Sequence, residues 1–332
     1  MKIIIDSAIP FIEGRLDRVA DVVYKPGGEI TYEVVKDADA LIIRTRTRCD
    51  ERLLSGSKVK FIATATIGTD HIDRDYCREK GITVKSAPGC NARGVAQYVF
   101  SSLFQASFDP ERHSLGIVGY GNVGGRVGKW AKDMGINVMV CDPLRKEAGF
   151  KDVDYRGLDE LLENCDAITL HVPLTSSGDY PTLNLIGEPE LGKMKRGAIL
   201  VNSSRGGVTD EAALKGFLRH GKLKAVTDVW EGEPKIDREL LDLSVIATPH
   251  IAGYSHEGKL RATRMALEAL EEYYGLDIDK SGLYVSSDQW ETGMTKAVIE
   301  KSYNPSDDSA LLKAAPLKFE EIRNSYNYRR EP

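Results

Sequence analysis

Short apolar runs of strand length alternate with longer amphipathic segments along most of the chain. The first runs, at residues 2–5, 41–43 and 61–65, are separated by polar segments with the spacing of surface helices. Parallel strands are covered by helices on both faces, so they occur in a sequence as continuous apolar runs. The pattern therefore predicts a first domain of the α/β class with a parallel sheet.

A second and more regular series of apolar runs begins at residue 115. Its members are residues 115–118, 137–141, 167–170, 198–201, 223–227 and 245–247. Six strands with intervening helices are what a doubly wound, Rossmann-type dinucleotide-binding sheet requires. The apolar segment 93–105 is predicted to be a helix that connects the two series. Residues 255–275 are predicted to form a long helix that returns to the first series.

These elements divide the chain into three parts. Residues 1–92, completed by residues 255–280, form the first predicted domain, and residues 93–254 form the dinucleotide-binding domain. Residues 281–332 change character, with polar turns between short helical or strand-like pieces. This last part is either a small third domain or a dimerisation arm.

Composition and charge narrow the classes of partner. Hydrophobic residues make up 42% of the chain and charged residues 29%, which is typical of a globular protein. The net charge of −5 does not supply the basic surface that broad nucleic-acid binding needs, and no apolar run approaches the length of a membrane helix. The cysteines are scattered and never form a Cys-x-x-Cys pair, which indicates reduced thiols in a cytoplasm. The histidines lack metal-ligand spacing, so no metal is predicted.

A glycine-rich turn follows the predicted strand 115–118. It consists of Gly119, Tyr120, Gly121, Asn122, Val123 and Gly124. In such a turn the glycines permit the sharp bend, the approach of a pyrophosphate, and close packing of helix on strand. Asp142 ends the next strand, where a carboxylate accepts hydrogen bonds from a ribose 2′-hydroxyl and repels a 2′-phosphate. The sequence thus predicts NAD rather than NADP, although Arg145 nearby is of the kind that can bind a 2′-phosphate.

Three later strands of the second series end in short polar segments that contain Arg205, Glu233 and His250. Ligands of an open α/β sheet bind outside the carboxyl ends of its strands, so we expect these side chains to meet at one cleft. An imidazole can accept the proton of a carbinol hydroxyl, which makes His250 the candidate base. Glu233 can stabilise the imidazolium that forms, and Arg205 can clamp a carboxylate and polarise the neighbouring C2 oxygen.

Taken together and in this order, four segments resemble the D-isomer-specific 2-hydroxyacid dehydrogenase family. They are Gly-Tyr-Gly-Asn-Val-Gly, Asn-Ser-Ser-Arg-Gly, Asp-Val-Trp-Glu-Gly-Glu-Pro and Pro-His-Ile-Ala-Gly. The resemblance implies a Rossmann-type NAD domain, a flavodoxin-like substrate domain, and NAD-dependent oxidation of a small D-2-hydroxy acid. It further implies NAD contacts at Pro173, Ser203, Ser204, Asp228 and Gly253. Substrate contacts are implied at Thr45, Thr66 and Tyr254.

Residues 64–71, 87–92 and 250–259 narrow the resemblance to family members that act on a small phosphorylated 2-hydroxy acid. Residues 319–331 resemble the C-terminal dimerisation domain of those members, which implies a homodimer. Arg44 and Arg46 follow the predicted strand 41–43 and are candidates for the phosphate, because guanidinium groups bind phosphate bidentately. The added charge of Arg46 and Arg48 either extends such a phosphate site or belongs to a solvated loop. Two alternatives stay open. One is another 2-hydroxy acid, such as 3-phosphoglycerate or glyoxylate/hydroxypyruvate, and the other is an NAD-sensing corepressor-like binding protein.

Overall fold

The structure is a computed structural model that describes residues 1–286 and 293–332. These residues form two compact units, one of residues 1–91 with 256–286 and one of residues 92–255 with 293–332. The strands are β1 (Lys2–Asp6), β2 (Asp21–Lys25), β3 (Ala40–Ile43), β4 (Phe61–Thr64), β5 (Thr83–Lys85), β6 (Ser114–Val118), β7 (Asn137–Cys141), β8 (Ala167–Leu170), β9 (Ile199–Asn202), β10 (Lys224–Thr227) and β11 (Ile246–Ala247).

Helices connect these strands and continue to the end of the chain. They are α1 (Tyr32–Val35), α2 (Glu51–Leu54), α3 (Arg74–Glu79), α4 (Ala92–Gln105), α5 (Asn122–Asp133), α6 (Pro143–Glu147), α7 (Leu158–Asn164), α8 (Glu188–Lys193), α9 (Glu211–Arg219), α10 (Arg238–Leu243), α11 (His256–Tyr274), α12 (Lys296–Ser302), α13 (Pro305–Ala314) and α14 (Phe319–Asn324). Short 3-10 helices occur at Gly27–Glu29 and Pro316–Lys318. Within the described residues no helix is both long enough and apolar enough to cross a membrane.

The sheet of the first unit has five parallel strands in the order β2-β1-β3-β4-β5. This is the flavodoxin-like order, as the resemblance implies. β1, β3 and β4 confirm the three strands that the apolar runs predict. The runs do not reveal β2 and β5, because both lie at the edges of the sheet and their residues are only partly buried. Such strands lack the continuous apolar run of a central parallel strand.

The sheet of the second unit has six parallel strands in the order β11-β10-β9-β8-β6-β7. All six agree with the second predicted series to within one residue at each end, so the Rossmann-type prediction is confirmed. Tyr155 forms a parallel bridge to Val140 of β7, where a doubly wound sheet would carry a further strand. The direction of winding changes at β6, and dinucleotides bind beyond the carboxyl ends of the strands at such a switch point.

Both predicted long helices are present. α4 is buried along nearly its whole length in the core of the second unit, where its Phe100 ring lies 6.5 Å from that of Trp130. α11 packs on β4 in the first unit, with Leu260, Leu267 and Leu270 in the core that the sheet forms. A helix that crosses back after the second series thus completes the first unit.

The described residues 293–332 belong to the second unit, whereas the sequence pattern separates residues 281–332 as one part. α13 lies against α4 and β11, and its Leu312 is buried in the same core as Phe319 and Ile322 of α14. These helices are short, so their few apolar positions do not show a recognisable core face in the sequence. A role of this segment in dimerisation stays a prediction.

Candidate active site

The predicted glycine-rich turn connects β6 to α5 in the second unit. Gly119 has a φ of +86°, which L side chains rarely adopt. A Cβ on Gly124 would clash with the carbonyl oxygen of Gly119, so glycine is needed for the helix to approach the strand this closely. α5 begins at Asn122 with no side-chain cap, which leaves its first backbone N–H groups to face the space beyond the turn. This arrangement fits a pyrophosphate.

Asp142 lies at the end of β7, beside this turn. Its carboxylate accepts the backbone N–H groups of Tyr120 at 2.8 Å and of Arg145 at 3.1 Å. A carboxylate offers about four acceptor positions, so ribose hydroxyls can still donate to Asp142. The Arg145 side chain donates to Tyr155 Oη and to Asp152, each at 2.9 Å. Those bonds commit Arg145 to its own segment, and the charge presented beside the turn is the negative charge of Asp142.

Three further predicted cofactor residues follow neighbouring strands of the same sheet. The carbonyl oxygen of Pro173, after β8, accepts a hydrogen bond from Thr182 Oγ1 at 2.5 Å. Ser204, after β9, donates through its backbone N–H and its hydroxyl to Asn202 Oδ1, at 3.1 and 2.9 Å. Ser203 Oγ is buried and has no hydrogen-bond partner among the described residues. An orphaned hydroxyl at the carboxyl end of a strand of this sheet fits a position that meets a ligand such as NAD.

Asp228 is buried at the end of β10, and the protein's own donors occupy its carboxylate. Oδ1 accepts from Thr248 Oγ1 at 2.6 Å and from the N–H of Ile251 at 2.8 Å, while Oδ2 accepts from the N–H of Ala252 at 2.9 Å. Burial raises the pKa of Asp228 above its usual value. These bonds fix residues 248–254, which we call the histidine loop. The predicted contacts of Asp228 and of Gly253 with NAD stay predictions.

His250 and Glu233 form a hydrogen-bonded pair in the second unit. His250 Nδ1 lies 2.9 Å from Glu233 Oε2 and 3.2 Å from Oε1, and the backbone N–H of Trp230 donates to Oε1 at 3.0 Å. The two side chains are 31% and 19% exposed, so both are largely shielded from water. His250 has a φ of +57°, held by the hydrogen bond from its N–H to the carbonyl oxygen of Asp228 at 2.7 Å.

The protonation of this pair follows from its geometry. Burial raises the pKa of Glu233, but the hydrogen bond and charge of His250, the N–H of Trp230 and the charge of Arg323 together lower it below its usual value. An ionised carboxylate only accepts hydrogen bonds, so Nδ1 of His250 must carry a hydrogen. In the neutral ring Nε2 is then an acceptor. The pair is therefore arranged as a base with its orienting carboxylate.

Arg205, which follows β9, lines the same cavity as the pair. The cavity has a volume of about 560 Å³, and its walls include Arg205, Trp230, Glu233 and His250. Gly206 allows the two polar segments to converge, because a Cβ there would clash with the carbonyl oxygen of Trp230. The structure thus brings together all three predicted catalytic side chains. Within residues 1–286 and 293–332, no group of His, Cys, Asp or Glu side chains is placed to hold a metal ion.

The predicted substrate residues of the first unit follow β3 and β4. Arg44 Nη1 donates to a main-chain carbonyl oxygen at 2.7 Å, and the neighbouring Thr45 and Arg46 are exposed. Thr66 is partly buried, and its hydroxyl donates to the carbonyl oxygen of Gly68 at 2.9 Å. Two guanidinium groups and two hydroxyls are therefore present at the carboxyl end of the first sheet, where they suit an anionic ligand.

Tyr254, the remaining predicted substrate residue, lies in the second unit and accepts a hydrogen bond from Arg323 Nε at 3.2 Å. Arg323 Nη1 is also 3.9 Å from Glu233 Oε2. The sequence does not indicate that Arg323 belongs to the site, because no local pattern relates residue 323 to residue 233. Only the packing of α14 brings them together.

Comparisons with known proteins agree with this architecture. Residues 94–252 match the family model described as D-isomer specific 2-hydroxyacid dehydrogenase, NAD binding domain. The chain is 48% identical to an erythronate-4-phosphate dehydrogenase of Bacteroides fragilis (strain YCH46), over 100% of this chain and 97% of the relative. It is 40% identical to that of Escherichia coli O157:H7, over 100% of this chain and 92% of the relative.

A solved structure shows the same similarity. It is a D-lactate dehydrogenase from Aquifex aeolicus complexed with NAD and lactic acid, with a TM-score of 0.70 and 27% identity. The match covers 83% of this chain and 96% of that chain. The full-length relatives, the family model and the fold lead to one conclusion. The chain belongs to the D-isomer specific 2-hydroxyacid dehydrogenase family of NAD-dependent oxidoreductases.

Proposed function

We propose that the chain oxidises 4-phospho-D-erythronate to 2-oxo-3-hydroxy-4-phosphobutanoate with NAD, and that it does so in pyridoxal phosphate biosynthesis. The observation that carries the chemistry is the His250–Glu233 pair on the wall of a cavity that Arg205 also lines. The names of the full-length relatives at 48% and 40% identity support 4-phosphoerythronate over the other 2-hydroxy acids of the family.

Each of the three side chains has one task in this oxidation. His250 takes the proton of the C2 hydroxyl at Nε2, and Glu233 stabilises the imidazolium through Nδ1. Arg205 binds the substrate carboxylate, and its positive charge favours the oxygen that becomes the C2 carbonyl. NAD, when bound, supplies the acceptor for the hydride that leaves C2. The hydroxyl proton thus goes to His250 and the hydride to NAD, and the C2–O single bond becomes a double bond.

The cofactor is assigned to the switch point of the second sheet. The turn of residues 119–124 would hold the pyrophosphate, and Asp142 would accept hydrogen bonds from the ribose hydroxyls. The orphaned hydroxyl of Ser203, after β9, supports a ligand contact at the carboxyl edge of the same sheet. Further contacts are assigned to Pro173, Ser204, Asp228 and Gly253.

The phosphate of the substrate is assigned to Arg44, Arg46 and Tyr254. Thr45 and Thr66 are assigned to the substrate without a particular group. Arg205 is committed to the carboxylate, so the far end of a four-carbon acid needs other donors. Guanidinium groups supply them in a fork that fits phosphate oxygens. The exposure of Thr45 and Arg46 supports a role in binding rather than in packing.

The remaining proposals concern the environment and the assembly of the chain. The five cysteines are free and buried, which suits a reducing cytoplasm. The resemblance of residues 319–331 to a dimerisation domain supports a homodimer. Sedimentation should show a dimer, and a fully active monomer would contradict this part of the proposal.

A spectrophotometric assay of NADH formation tests the substrate, with removal of the keto product coupled to it. We expect kcat/KM to be higher for 4-phosphoerythronate than for erythronate, 3-phosphoglycerate or glycerate. If another acid is preferred, the specific substrate is wrong and the dehydrogenase chemistry stands. If NAD binds but no acid is oxidised, the corepressor-like alternative is favoured.

A further inference from the structure

The guanidinium group of Arg323, in α14, lies close to Glu233 of the proposed proton-transfer pair. Arg323 Nη1 is 3.9 Å from Glu233 Oε2, and Arg323 Nε donates to the hydroxyl of Tyr254 at 3.2 Å. The side chains of Arg323 and Glu233 are only 17% and 19% exposed, so water screens their attraction less than it would at an open surface. One arginine therefore contacts both the segment that carries Glu233 and the histidine loop.

The tail that follows α14 is fixed to the same loop. Arg329 is buried and donates to the carbonyl oxygens of Ile251 and Ala252. Directly after the loop, Ser255 Oγ donates to Glu331 at 2.7 Å. These bonds hold residues 329–331 against the histidine loop and Ser255, and they limit the positions that α14 can adopt.

We propose that Arg323 is a positioning residue for the oxidation, which aligns the Glu233 carboxylate with His250 and holds the Tyr254 hydroxyl in place. The inference rests on the proposed roles of Glu233 and His250. It gives the C-terminal segment a part in the active site of its own chain, besides the dimer contact that the family resemblance implies.

The charge of Arg323 shifts the pKa of Glu233 in a direction that can be measured. Burial alone would raise the pKa of Glu233, and Arg323 is one of the groups that lower it. A positive charge near the pair also opposes protonation of the imidazole, whereas the carboxylate favours it. Among the described residues, Arg205, Asp210 and Glu231 line the same cavity as the pair, and Asp228 interacts electrostatically with His250. Tyr254 accepts a hydrogen bond from Arg323 Nε, and Glu320 lies 4.0 Å from Arg323 Nη1.

Three variants of the full chain separate charge from position. Arg323→Gln removes the cation, Arg323→Lys retains it with fewer donors, and Arg238→Gln is the matched control. Arg238 pairs with Asp242 on α10, and both side chains are more than half exposed. For Arg323→Gln we expect kcat to fall by roughly tenfold with little change in KM. We also expect the acid limb of the pH profile of kcat to move to higher pH.

Arg323→Lys should keep the acid limb near that of the wild type while losing part of kcat, and Arg238→Gln should match the wild type in both. Equal profiles for Arg323→Gln and the wild type would overturn the proposal. A rise in KM for phosphorylated acids alone, with kcat and the acid limb unchanged, would overturn it as well and make Arg323 a phosphate ligand.

An NMR titration of the Glu233 carboxyl carbon makes the same comparison without turnover. Its midpoint should rise in Arg323→Gln, because a cation that lowers the pKa of Glu233 is removed, and it should stay in place in Arg323→Lys and Arg238→Gln. If no 2-hydroxy acid is oxidised, the proposed function fails, yet a shifted midpoint still supports the contact between Arg323 and the pair. An unshifted midpoint in a folded Arg323→Gln protein overturns the inference whatever the substrate.

Discussion

Replacing Glu233 by glutamine removes a charge from the proton-transfer pair with little change of size. Glu233 Oε1 accepts the Trp230 N–H at 3.0 Å, and Oε2 lies 2.9 Å from His250 Nδ1. The Trp230 N–H needs an acceptor, so the glutamine oxygen takes the Oε1 position and the amide group faces Nδ1. Because two donors repel each other, the imidazole proton must move to Nε2, the atom that is to accept the substrate proton.

The magnitude follows from the bond that is lost. A hydrogen bond to a charged group contributes about 1.5–3 kcal/mol, which corresponds to a loss of about 10- to 150-fold in kcat. The carboxylate also favours the imidazolium, so the acid limb of the pH profile should move to lower pH in Glu233→Gln. This direction is opposite to the one expected for Arg323→Gln, which makes the two variants controls for each other.

The assay is NADH formation with 4-phosphoerythronate that carries deuterium at C2, so that an isotope effect shows when hydride transfer limits the rate. NAD affinity, measured separately by calorimetry, should be unchanged. Asp242→Asn is the matched control, since it removes one carboxylate from the exposed pair with Arg238 on α10. Near-wild-type turnover of Glu233→Gln with an unmoved acid limb, under rate-limiting hydride transfer, would refute the assignment of Glu233 as the carboxylate that orients His250.

Four other changes test the remaining assignments. His250→Ala should lower turnover by ~10²–10⁴ with NAD binding nearly unchanged, and residual turnover near that of the wild type would sink the assignment. Asp142→Ser should weaken NAD binding through the lost ribose hydrogen bonds and should improve the use of NADP by removing charge repulsion. A wild type that prefers NADP would contradict the proposed role of Asp142. Arg44→Ala or Arg46→Ala should raise KM for 4-phosphoerythronate by about 10- to 150-fold, as the loss of one charge-assisted hydrogen bond implies. The KM for unphosphorylated acids should stay nearly unchanged. Burial raises the pKa of Glu211 to about 7, so its ionisation opposes folding as the pH rises from 4.5 to 7. Over that range, the free energy of unfolding of Glu211→Gln, measured by urea denaturation, should rise relative to that of the wild type by on the order of 2 kcal/mol, after allowance for partial solvent exposure. Equal pH dependence of the two unfolding free energies would contradict the raised pKa of Glu211.

The sequence by itself determines much of the architecture, because its strongest signals are local. Continuous apolar runs mark the central parallel strands, and all nine predicted strands are present in the two sheets. The glycine-rich turn is recognisable because the conformation of Gly119 and the closeness of Gly124 admit almost no other residue. The strand ends with Arg205, Glu233 and His250 are predictable for a similar reason, since a parallel sheet places the carboxyl ends of its strands at one edge.

What the tertiary structure decides are contacts between residues far apart in the chain. The edge strands β2 and β5 are strands because of the neighbours they pair with, and their own partly polar residues do not predict this. Arg145 has two possible roles in the sequence, and its bonds to Tyr155 and Asp152 show which neighbours hold it.

The C-terminal segment is the largest such case. Short helices with few apolar positions suggest a separate arm, yet α13 and α14 pack on the second unit. Arg323 comes within 3.9 Å of Glu233, ninety residues earlier in the chain, and Arg329 bonds to the histidine loop. An arginine has the same local sequence signature whether it is solvated or buried against carbonyl oxygens. Its role is set by the groups that folding places around it, because hydrogen bonds and charge interactions depend on distance in space and not on separation in sequence.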